Sequence, residues 1–192
     1  AINESLTLDA SALSTASATV IGGGTSGATT ITLGGGSTLS VITNSTTVTT
    51  NTTAFSSTIA GAGNLAKTGG TGELRLLSEN NSAAWTGGIS VSAGTLRVDG
   101  SSSVQPDAKL ATGTITLDGG TLASNITNSA SRTIDNLVVL GAGGGTVNVT
   151  GSAGASTLVL SGVVSGANLT KSGVSILQLS GTNTYTGTTT VS

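Results

Sequence analysis

The segment ANLTKSGVSILQLSGTNTYTGTTTVS, Ala167–Ser192, holds the pattern on which the chain is built. Within it, ILQLS (Ile176–Ser180) alternates apolar and polar residues, and TTTVS (Thr188–Ser192) ends on a second such run. A period of two belongs to a half-buried strand, whose side chains point in turn to a core and to solvent. Between the runs lie Gly, Thr and Asn, residues that favour turns. A close counterpart, GNLAKTGGTGELRLLSENNSAAWTGGISVS, spans Gly63–Ser92 and runs on into a further strand, AGTLRVDG (Ala93–Gly100). The later copy stops at Ser192, in mid-pattern, so the natural chain is expected to be longer.

The two copies sit inside a wider self-match. TITLGGGSTL (Thr30–Leu39) aligns with TITLDGGTL (Thr114–Leu122), STIAGAGNLAKTG (Ser57–Gly69) with GVVSGANLTKSG (Gly162–Gly173), and WTGGISVS (Trp85–Ser92) with YTGTTTVS (Tyr185–Ser192). The order is the same in both halves. We therefore read one domain, residues 1–192, with an internal duplication over about 30–99 and 114–192. Ordered self-similarity at this scale indicates a solenoid.

Composition selects the type of solenoid. Ser and Thr make up about a third of the 192 residues, Gly adds 30, and Pro occurs once. Good helix formers never cluster at helical spacing, which excludes helical repeats. Propeller signatures are missing, and collagen needs Gly at every third position. Short Val, Ile and Leu runs, a mean hydropathy of +0.31 and a net charge of −2 argue against disorder. The remaining choice is an all-β chain coiled as a single-stranded parallel β-helix. Rungs of 20–25 residues stacked about 4.8 Å apart give an expectation of eight or nine rungs. Ile31 with Leu33, and Leu177 with Leu179, are expected in the interior column, with Thr and Ser outside.

The same residues resemble a known repeat. LTKSGVSILQLSGTNTYTGTTTVS (Leu169–Ser192) is similar to the autotransporter-associated β-strand repeat, or passenger-associated transport repeat, through Lys171, Gly173, Leu177, Leu179, Asn183, Thr184, Tyr185, Thr186, Gly187 and Val191. The earlier copy matches through Lys67, Gly69, Leu74, Leu76, Trp85, Thr86, Gly87, Val91, Gly94, Thr95 and Leu96, with Trp85 in the place of Tyr and extra residues around Glu79–Ala84. The resemblance implies a right-handed parallel β-helix in a secreted bacterial passenger or surface protein, acting as a stalk or scaffold. Self-association, end to end or lateral, and adhesion to a glycan or to ice through a Thr-rich outer face are the further expectations.

The residue inventory excludes several chemistries. With no His and no Cys, neither a Ser-His-Asp triad nor a His- or Cys-ligated metal site can be built. The eight acids are scattered singly; stacked rungs could bring Glu73 and Asp99 near each other, but isolated surface charges are the expectation. We expect no enzyme activity, no catalytic, metal or cofactor-binding residues and no cofactor. Charged residues are 7% and aromatics 2%, so no basic face or stacking platform exists for nucleic acid. No apolar run is long enough to cross a membrane as a helix. GAGNLAKT (Gly61–Thr68) and GANLTKS (Gly166–Ser172) only approach a phosphate-binding loop: Gly does not directly precede Lys, and no helix follows. Trp85 and Tyr185 are expected to pack over a neighbouring rung, not to stack on sugar. The sequons at Asn44, Asn51 and Asn148 are those expected by chance in so Thr-rich a chain. An ice-binding lattice would need Thr30/Thr32, Thr47/Thr49 and Thr114/Thr116 to recur on one face.

Overall fold

Parallel pairing between strands far apart in sequence defines the computed structural model, which describes residues 2, 4–10, 20–21, 30–44, 53–77, 84–99, 109–126, 130–151 and 156–192. The chain winds through three faces. The first is a seven-stranded sheet of β1 (Leu6–Ala10), β4 (Thr38–Thr43), β7 (Asn64–Gly69), β9 (Ile89–Val91), β11 (Ile115–Leu117), β14 (Val138–Leu140) and β17 (Val164–Gly166), in that spatial order. The second is an eight-stranded sheet of β2 (Val20–Ile21), β5 (Thr53–Phe55), β8 (Glu73–Leu76), β10 (Thr95–Arg97), β12 (Thr121–Ile126), β15 (Gly145–Gly151), β18 (Leu169–Ser172) and β20 (Thr189–Val191). The third face holds a pair, β3 (Thr30–Leu33) with β6 (Thr58–Gly61), and a trio, β13 (Ser131–Ile134), β16 (Thr157–Leu160) and β19 (Ile176–Leu179). Trp85 bridges to Gly61 on that face.

The β-solenoid is as expected, but the expected eight or nine rungs are not. About five turns, β1–β3, β4–β6, β11–β13, β14–β16 and β17–β19, carry a strand on all three faces. The chain taken by a turn is not constant. Successive partners lie 19 residues apart at Leu158 and Leu177 but 34 apart at Val20 and Ala54. Among the described residues, the turns of β7 and β9 show no paired strand on the third face beyond the Trp85 bridge.

Register explains the core. Leu39, Leu65, Ile89, Ile115, Val138 and Val164 stack in one column of the seven-stranded sheet, and all six are buried. Leu74, Leu96, Leu122 and Val147 form its counterpart on the eight-stranded sheet, fully buried. Each aliphatic side chain removed from water contributes about 1.5–3 kcal/mol. No single turn can achieve that burial, because its apolar row is covered only by the turns above and below. Leu33 is in this core as expected, while Ile31, Leu177 and Leu179 are partly buried against it.

Candidate functional site

The densest set of specific interactions lies where the two sequence copies join one turn to the next. In the first copy Thr86 N–H donates to Gly61 O (2.8 Å), Gly88 N–H to Asn64 Oδ1 (2.8 Å), Leu65 N–H to Gly88 O (3.0 Å) and Ser92 N–H to Lys67 O (3.0 Å). In the second copy Thr186 N–H donates to Gly166 O (2.9 Å), Thr188 N–H to Asn168 Oδ1 (2.9 Å), Leu169 N–H to Thr188 O (3.0 Å) and Ser192 N–H to Lys171 O (3.0 Å). Each copy is thus a clasp: its Gly-x-(x)-Asn-Leu-x-Lys half is a platform, and its Thr-Gly-x-x-x-Val-Ser half closes on it one turn later. Gly61 and Gly166 share a positive φ, 97° and 98°. A Cβ there would lie 2.1 Å from Leu33 O and 2.0 Å from Leu140 O, so only glycine fits.

The clasps occupy different faces. Lys67 lies on β7 of the seven-stranded sheet, whereas Lys171 lies on β18 of the eight-stranded one. Leu74 and Leu76 are on the eight-stranded sheet and Leu177 and Leu179 on the three-stranded one. Val91 and Val191 follow the same shift. The duplication is therefore rotated by one face of the solenoid, and equivalent side chains of the two copies point in different directions.

Lys67 is the least expected element. It stands in the inward column between Val41 and Val91 and is 1% exposed. Its ammonium donates to the carbonyls of Gly69, Gly70 and Ala93, the last from the following turn. Burial lowers its pKa from 10.5 to about 8, and no carboxylate offsets that effect. Lys171 Nζ likewise donates to Ser172 and Gly173 carbonyls. Both lysines of the phosphate-loop-like segments thus face backbone oxygens, an arrangement suited to closing a corner and not to receiving an anion.

Glu73 and Asp99 lie at the same face but not side by side: the register of β8 on β10 sets Thr95 beside Glu73, and Arg75 and Arg97 stand between the two acids. Asp99 Oδ2 lies 2.7 Å from Arg75 Nη2 and Asp99 Oδ1 2.7 Å from Arg97 Nε. Glu73 is held more loosely, 3.5 Å from Arg97 and 3.8 Å from Arg75. Burial raises the Glu73 pKa against the opposing pull of Arg97 and Arg75. Asn125 N–H also donates to Asp99 Oδ1 (2.9 Å). The quartet has no net charge and lies on the outer side of the eight-stranded sheet.

The other singled-out residues are placed as follows. Trp85 is fully buried and its Nε1–H donates to Gly63 O at 2.8 Å. Tyr185 is half-buried against the core, its hydroxyl 2.8 Å from Thr189 Oγ1. Both pack as expected. Thr30 and Thr32 are on the two-stranded sheet while Thr114 and Thr116 lie at the seven-stranded one, so these Thr-x-Thr pairs share no face. Thr47, Thr49, Asn51, Glu79 and Asp107 lie outside the described residues. Among the described residues no three His, Cys, Asp or Glu side chains form a metal-holding group, and no helix is long and apolar enough to cross a membrane. Sequence reasoning missed the roles of Asn64 and Asn168. The shared NL-x-K segment was their signal, since an Asn oxygen beside a strand start is well placed to accept the next turn's N–H.

Comparison with known proteins agrees with the clasp geometry. Residues 65–98 and 169–192 each match the passenger-associated-transport-repeat family model, so the chain carries two such repeats. No curated protein and no solved structure matches the chain.

Proposed function

We propose that this segment, with its two passenger-associated-transport repeats, is a structural stalk of a secreted bacterial surface protein. One observation carries the reading: the repeats make the same turn-to-turn hydrogen bonds on different faces. A motif that specified a ligand site would have to present its outward residues in one direction. These repeats hold turns together and leave the surface unspecified, as a scaffold requires. Clasps that close once two turns have emerged also suit a chain that folds as it is exported. Adhesion and homotypic contact are roles that such a displayed stalk would support. Adhesion to a glycan is favoured by the unbroken threonine row on the eight-stranded sheet. The test is surface display in the bacterium that makes the protein. Antibody against this segment should label intact cells, and external protease should remove the label. Labelling only after the cells are permeabilised would refute the reading.

A further inference from the structure

Five threonines lie one above another on the outer side of the eight-stranded sheet. Thr95 pairs with Thr121, Thr121 with Thr146, Thr146 with Thr170 and Thr170 with Thr190. None of the five is buried, and each neighbours an inward-column residue. At the strand spacing of about 4.8 Å the row is about 19 Å long.

The repeat does not account for this row. Thr95 ends the first copy, Thr170 lies in the opening strand of the second, Thr190 lies in its closing strand, and Thr121 and Thr146 belong to neither. Thr95, Thr121 and Thr146 each lie between a glycine and an aliphatic residue, whereas Thr170 and Thr190 come from other contexts, yet all five fall on one line. A comparable outer row on the seven-stranded sheet is mixed, passing through Ser40, Ala66, Ser90, Thr116 and Val139. Beside the threonines runs a groove of about 250 Å³ along the sheet corner. Its floor is Gly119 and Gly143–Gly145, and Asn168 and Thr188 flank it.

The chemistry of this face selects its ligand. Hydroxyls donate and accept, and here they recur once per turn at fixed spacing. A matching ligand must be extended and must repeat its own hydrogen-bonding groups at similar intervals. It must also be uncharged, because Glu73 and Asp99 cancel Arg75 and Arg97 on this face. A nucleic acid or acidic polymer would need a cationic surplus. A peptide strand would add at a sheet edge and not across the outer face. We propose that the outer face of the eight-stranded sheet, along Thr95, Thr121, Thr146, Thr170 and Thr190, binds one extended, uncharged polysaccharide chain lying parallel to the solenoid axis. This deepens the surface-stalk reading by naming a partner class. Each hydroxyl contact is weak, so affinity is built from several successive sugars and grows with chain length.

The test titrates the 192-residue chain with dextran, mannan and mixed-linkage glucan, with alginate as the acidic control, and follows binding by calorimetry. At least one neutral polymer should bind, better as long chains than as short fragments, and alginate should not. The double variant Thr146→Val/Thr170→Val should lose at least tenfold in affinity with unchanged thermal unfolding, while Thr116→Val on the seven-stranded sheet should lose nothing. Three results would overturn the proposal: no binding by any neutral polymer, binding of alginate alone, or an equal loss in Thr116→Val. Failure with a folded chain and normal surface labelling would leave the stalk reading standing, and absence from the surface with binding intact would do the reverse.

Discussion

Replacing Lys67 by methionine tests the clasp at its most unusual point. The ammonium is 1% exposed, bonded to three backbone carbonyls, and has a pKa lowered from 10.5 to about 8 by burial. The sign follows from linkage. Because the folded pKa lies below the unfolded one, the unfolded chain binds more protons between pH 8 and 10.5, and stability rises with pH across that window. The burden is full below pH 8, about 3 kcal/mol at about 1.4 kcal/mol per pKa unit. It has fallen by about 2 kcal/mol at about pH 9.5. Methionine keeps the length of the side chain and removes the titration. Its absolute stability mixes relief of desolvation with the loss of three acceptor bonds, so the difference in pH dependence is the decisive quantity. Urea unfolding of both proteins between about pH 7 and pH 9.5 should show the wild type gaining about 2 kcal/mol on the variant. Parallel pH profiles, or a wild type that loses ground as pH rises, would refute a Lys67 pKa lowered by burial.

Two further predictions concern the clasp. Asn64→Ala and Asn168→Ala should each cost about 0.5–1.5 kcal/mol, because Gly88 N–H or Thr188 N–H exchanges its acceptor for water; the midpoint of urea unfolding measures it. Glycine positions should separate by contact and not by φ alone. Gly36→Ala, at φ 81° with nothing within 4 Å of its Cβ, should cost about 1–2 kcal/mol. Gly166→Ala must push a methyl group to 2.0 Å from Leu140 O and should cost clearly more. Thermal unfolding that ranks the two equally would contradict the close approach of successive turns.

Much of this fold was legible because the β-solenoid writes its core as a local signal. Leu74 with Leu76 alternate with Glu73 and Arg75, and Leu177 with Leu179 flank Gln178. The number of turns was not legible, because strands and connections both vary in length, and only pairing reveals which strand begins a turn. Lys67 was misleading for a different reason. Charge normally marks the outward face, but a long side chain can carry its ammonium along the interior to a corner, where glycine backbone supplies oxygens. Glu73 and Asp99 were expected as isolated surface charges, and instead each is ion-paired, because Arg75 and Arg97 pair across neighbouring turns and stand between them.

The rotation of the second repeat by one face is the feature furthest from sequence reasoning, and it has a physical basis. Every face needs the same three things: an inward aliphatic pair, a corner that admits close approach of backbone, and an acceptor for the first N–H of the next turn. Gly61–Asn64–Lys67 and Gly166–Asn168–Lys171 supply them equally well on the seven- and eight-stranded sheets. The repeat therefore specifies closure between turns without specifying direction. Any feature that must face one way, such as the threonine row from Thr95 to Thr190, has to be encoded separately, turn by turn. Because closure and surface are separable, substitutions on that row should alter binding without altering the stack, and substitutions at Asn64 or Asn168 should alter the stack on whichever face they lie.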